Sequence, residues 1–87
     1  MNLDEMLLSE TKLALKEIKK NYKLFSTINL MEKITGIPFS PSPYATNVGF
    51  SGFLSAYQKE LGIRYLSTHL SVIDEKDTYN PIWVIDK

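Results

Sequence analysis

Apolar residues return at helical spacing through the first quarter of the chain. Leu7, Ala14, Leu15, Ile18, Tyr22 and Phe25 fall along one face of a helix predicted over residues 3–24. Asn2 and Glu5 form a capping pair at its start. Asp4, Glu5 and Glu10 come early and the lysines late, as the helix dipole favours. A second, shorter helix is predicted over residues 27–35. Ser26 or Thr27 caps it, Leu30, Met31 and Ile34 face inward, and Gly36 stops it. The period is then lost between Ile37 and Thr46. Pro38, Pro41 and Pro43 each remove a backbone donor and push the preceding residue toward extended geometry. Thr46-Asn47 caps a third helix predicted over 48–61, with Phe50, Phe53, Leu54, Tyr57 and Leu61 on its inner face and Gly62 at its end.

Beyond Gly62 the period changes to two. In "LSTHLSVI", Leu66, Thr68, Leu70 and Val72 share one face and alternate with Ser67, His69 and Ser71. "DEKD" reads as a polar turn, and "TYNPIWVID" as the returning strand, rich in aromatic and β-branched residues. With Asp74–Asp77 as the tip, Thr68 would lie opposite Trp83 and Leu66 opposite Ile85. Pro81 cannot donate to a ladder, so it places the returning strand at a sheet edge, at least locally. The expected fold is α+β: three helices followed by a C-terminal antiparallel β-hairpin, in a single domain spanning 1–87.

This order resembles a winged-helix domain, a helix-turn-helix with a β wing. "STINLMEKITG" is similar to the first helix of the pair and "NVGFSGFLSAYQKELG" to the second, recognition-type helix, with "LSTHLSVIDEKDTYNPIWVID" as the wing. The chain departs from that pattern in two places. Its link between the paired helices runs to about ten residues, where the motif uses roughly three or four. And "KLFST" shows no counterpart of the small strand that follows the family's first helix. Helices covering a two- or three-stranded sheet are the competing α+β arrangement.

Composition narrows the functions. The 87 residues include no cysteine and one histidine, His69, so disulfide frameworks and the usual zinc constellations are excluded. With 44% hydrophobic residues a packed apolar core must hold the fold. Ten basic and ten acidic residues balance, leaving no long-range pull toward nucleic acid or an anionic membrane. No stretch has the length of a membrane span and the start lacks a signal pattern, so the expected location is cytoplasmic. His69 has no partner constellation for nucleophilic catalysis, and no phosphate loop, calcium loop or zinc-protease motif occurs. Neither a catalytic residue nor a cofactor or metal is therefore assigned.

The charges are nevertheless unevenly placed. Lys12, Lys16, Lys19, Lys20 and Lys23 fall within an arc of roughly 100° on the first helix. Asp74, Glu75 and Asp77 cluster at the hairpin tip. Such a two-ended distribution suits a protein partner with an acidic surface facing the lysines. Phe39 and Tyr44, set among prolines, are candidate anchors for the same partner. The expectation is a non-catalytic binding module, an inhibitor or adaptor, as monomer or homodimer. Its lean, Lys- and Asn-rich composition is of the kind found in phage and mobile-element accessory proteins. The alternative, carried by the winged-helix resemblance, is a DNA-binding regulator reading duplex DNA through Asn47, Ser51, Ser55, Gln58 and Lys59. An acidic wing tip works against it.

Overall fold

Helix α1 spans Leu3–Ile18 and ends six residues before the predicted limit. The chain leaves it through a tight turn, in which the N–H groups of Lys20 and Asn21 reach back only to the carbonyls of Glu17 and Ile18. Phe25 accounts for the early stop. It is buried on a short strand, β1 (Leu24–Ser26), directly opposite Trp83. Helical spacing made Phe25 look like a continuation of α1, but burial against Trp83 outweighs the modest helix propensity of the residues around Asn21 and Tyr22. Tyr22, expected in the core, is 66% exposed instead.

The computed structural model describes residues 3–39, 47–73 and 75–86. Helix α2 (Thr27–Thr35) follows its local signals closely. Ser26 is the N-cap, its Oγ accepting the Asn29 N–H at 3.0 Å. Gly36, at φ 73°, closes the other end, and its N–H donates to the Glu32 carbonyl. The predicted third helix is divided in two: α3 (Asn47–Ala56) and α4 (Gln58–Leu61). At the break the Tyr57 N–H is shared between the carbonyls of Phe53 and Leu54. Gly62, at φ 70°, ends α4 as expected.

Strands β2 (Ile63–Ile73) and β3 (Lys76–Ile85) form the hairpin, and β1 adds to its far side, giving an antiparallel sheet of order β1-β3-β2. The fold is thus α+β with a three-stranded sheet. The register differs from the expected one. Thr68 faces Pro81, Tyr65 faces Trp83, and Ile63 faces Ile85. The cause is a shorter turn: Ile73 already pairs with Lys76, and Glu75 adopts φ 63° between them. A bulge at Leu66 shifts the pairing by one more residue. Asp74 of the expected tip lies outside the described residues. Pro81 sits on the central strand, one residue past the last β1 pair, Ser26 with Ile82, so its missing N–H faces no strand.

The core joins one sheet face to the helices. Ala14 and Leu15 of α1, Leu30 of α2, and Phe50 and Leu54 of α3 surround Phe25, Ile63 and Trp83. Trp83 is 2% exposed and its indole N–H is satisfied by Thr27 Oγ1 at 2.9 Å. Thr27 Oγ1 lies 3.0 Å from Ser51 Oγ, which donates to the Asn47 carbonyl at 2.6 Å. This buried relay ties the sheet to α2 and α3. Among the described residues no helix is long and apolar enough to cross a membrane.

Candidate functional site

All five candidate lysines are exposed, but they do not form one helical stripe. Lys12 and Lys16 stand on α1; Lys19 and Lys20 lie in the turn after it, and Lys23 just before β1. The shorter helix gathers some of them differently from the prediction. Lys12, Lys16 and Lys19 border a shallow cleft of about 320 Å³ whose apolar lining comes from Leu15, Leu61 and Ile85. Glu60 stands on the same rim and pairs with Lys12 at 3.3 Å. Lys20 turns to Glu17, at 3.2 Å. Among the described residues Lys16, Lys19 and Lys23 form no ion pair. The Lys23 carbonyl accepts the Ile85 N–H, which fixes the end of the turn to the base of the sheet.

Of the two aromatic anchors, the one described does not join this cleft. Phe39 is half-buried, with its N–H held by the Glu32 carboxylate at 2.9 Å, and is not among the residues lining the cleft. Tyr44 lies outside the described residues.

The residues proposed for base contacts are dispersed by structural duties. Asn47 is buried, and its side-chain amide donates to the Tyr79 carbonyl. Ser51 belongs to the relay beneath Trp83. Gln58 spans two backbones: its amide nitrogen donates to the Ser55 carbonyl, and its oxygen accepts the Tyr65 N–H at 3.2 Å. Only Ser55 and Lys59 remain exposed. Around them the outer surface of α3 carries Val48, Gly49, Gly52 and Ala56 and no charge. A Cβ at Gly52 would meet nothing within 4 Å, so packing does not require that glycine.

A broader open depression, of about 940 Å³, lies over α4 and the start of β2. Two of its charged groups, Arg64 and Asp86, are paired with each other at 3.3 Å, and Glu60 pairs with Lys12 of the lysine cleft. Among the described residues no cluster of three His, Cys, Asp or Glu side chains is placed to hold a metal ion.

Sequence reasoning missed the apolar part of the lysine cleft. Leu15 and Leu61 read as core residues, and Ile85 as the end of a strand; the packing of α1 beside Leu61 and Ile85 sets the lysines at their edge. No family model matches the chain, and neither a curated protein nor a solved structure is significantly similar to it.

Proposed function

We propose that the chain is a small non-catalytic binding module that docks an acidic surface of a protein partner against Lys12, Lys16 and Lys19, with Lys20 and Lys23 widening the positive field. The observation that carries this reading is the cleft itself. Three ammonium groups line it, one carboxylate answers them, and the half-buried Leu61 and Ile85 offer apolar contact between the charges. Charges at a rim steer association, while a small apolar centre supplies the anchor. An inhibitor or adaptor is the role this surface fits.

The test compares the wild type with a Lys16→Glu/Lys19→Glu variant as immobilised baits in extract of the native host. Proteins that the wild type retains at low salt, and that the variant loses while its melting temperature is unchanged, support the reading. Equal retention by both removes the lysine cleft from it.

A second reading, a winged-helix DNA-binding regulator, draws support from β1. A small strand of the kind the resemblance calls for after the first helix is present at Leu24–Ser26, where "KLFST" showed no counterpart of it. Against this stand the structural duties of Asn47, Ser51 and Gln58, and the exposed Glu75 and Asp77 at the hairpin tip. A DNA-binding domain loses affinity steeply with salt. Duplex binding with such a slope, reduced by Lys59→Ala, would favour the regulator over the module.

A further inference from the structure

Among the described residues the outer edge of β2 has no partner over its distal half, and its hydrogen-bonding parity can be read from the neighbours of β3. Ile85 donates its N–H to Lys23, the Pro81 carbonyl accepts from Thr27, and the Tyr79 carbonyl accepts from Asn47. Residues 79, 81, 83 and 85 therefore turn their main-chain groups away from β2. Their partners in register must turn theirs outward as well, because such antiparallel pairs exchange no bonds. The Tyr65 N–H, opposite Trp83, confirms the parity, since it points out to Gln58 Oε1. Across the bulge the outward residues are Thr68 opposite Pro81, Leu70 opposite Tyr79, and Val72 opposite Asp77. Among the described residues nothing hydrogen-bonds the outward main-chain groups of these three.

Natural edge strands are usually blunted by charge, proline or cover. Gln58 covers this edge at Tyr65 only. From Leu66 to Ile73 the strand contains no proline and no formal charge. Leu70 and Val72 are 59% and 71% exposed, and Tyr79, beside Leu70 on the same face, is 65% exposed.

We propose that this edge pairs with the same edge of a second copy, antiparallel about a two-fold axis through Leu70. That register sets Leu70 against its own counterpart and Thr68 against Val72 of the other chain, so every outward donor and acceptor finds a partner. It is the two-fold register that uses all three outward residues. The leucines meet at the axis on the face that carries Tyr79, which removes apolar surface from water. The turn bearing the exposed Glu75 of each copy comes level with the exposed Arg64 of the other, which it would share with Asp86. The surface is distinct from the lysine cleft, so the Lys16→Glu/Lys19→Glu variant leaves the pairing intact, and the two readings stand or fall separately.

The experiment is sedimentation analysis of the full chain from micromolar to millimolar concentration, with amide hydrogen exchange at each end of the range. The expected result is a monomer–dimer equilibrium in which the Thr68, Leu70 and Val72 amides gain protection with concentration. The Ser67, His69 and Ser71 amides, which face β3, stay constant. Leu70→Pro removes an outward N–H and no bond to β3, and is expected to abolish the dimer. Leu70→Lys, which places like charges against each other at the axis, does the same without constraining the backbone. Circular dichroism of both variants should match the wild type. A wild type that stays monomeric throughout overturns the proposal, including the case where the edge gains protection only on adding a foreign strand-forming peptide. A dimer that survives Leu70→Lys overturns it as well.

Discussion

Trp83 and Tyr79 lie on the same face of one strand, and their surroundings could hardly differ more. Trp83, at the base of the sheet, stands between Phe25 and Tyr65 and under three helices, with its N–H held by Thr27. Tyr79, four residues earlier, pairs with Leu70 and faces solvent. Both regions set apolar side chains at alternate positions of that face, Trp83 and Ile85 at the base and Leu70 beside Tyr79 farther out. The alternation becomes burial only where α1, α2 and α3 reach over the sheet and β1 widens it. Farther out, two strands carry an apolar face that nothing among the described residues covers. A period of two therefore announces a strand, and says nothing of how far along it the core extends.

The comparison breaks most visibly at its centre. Trp83→Ala should lower stability by about 3–5 kcal/mol, the cost of emptying a well-packed aromatic site, and chemical denaturation measures it. A milder cut leaves the shape and removes the hydroxyl: Thr27→Val strands the buried indole N–H and should cost about 1–3 kcal/mol. If denaturation showed no loss for Thr27→Val, the relay would not be what ties the sheet to the helices. Gly52→Ala, on the open outer face of α3, is expected to stabilise by about 0.5–1 kcal/mol, because helix propensity improves and no neighbour is met. A fall in melting temperature would show that the glycine is needed. Val72→Ser, in the uncovered half of the hairpin, should shift stability by no more than about 0.5 kcal/mol at micromolar concentration. A loss as large as that from Thr27→Val would mean that the distal hairpin belongs to the cooperative core after all.

What could be read in advance was what local chemistry decides. Ser26 and Gly36 bracket α2, and Gly62 ends α4, because a side-chain cap and a left-handed residue act within one turn of the chain. The end of α1 could not be read in the same way. Phe25 has helical spacing from Ile18 and would equally suit a strand; its pairing with Trp83, far along the chain, decides between them. The hairpin register was hidden in "DEKD", where four polar residues do not reveal which two make the turn. Glu75 at positive φ settles it, and the Leu66 bulge adds a further shift.

The site divides along the same line. The lysines were legible as charge, since a cluster of ammonium groups must stay in water wherever the helix ends. Their grouping into a cleft depended on where α4 and the end of β3 come to lie beside α1. The bonds of Asn47, Ser51 and Gln58 could not be read in advance, because a polar side chain on a helix satisfies its bonds equally well from solvent or from a neighbouring backbone. Only the position of Tyr79, Thr27 and Tyr65 shows which it does.

Pro81 has one more consequence. It removes a donor from the flank of β3 beyond β1, where Thr27 and Asn47 also take up the Pro81 and Tyr79 carbonyls, and β1 itself is only three residues long. Among the described residues the longer run of unpaired edge therefore lies on β2, so strand addition there has more to pair with than on the β1 flank.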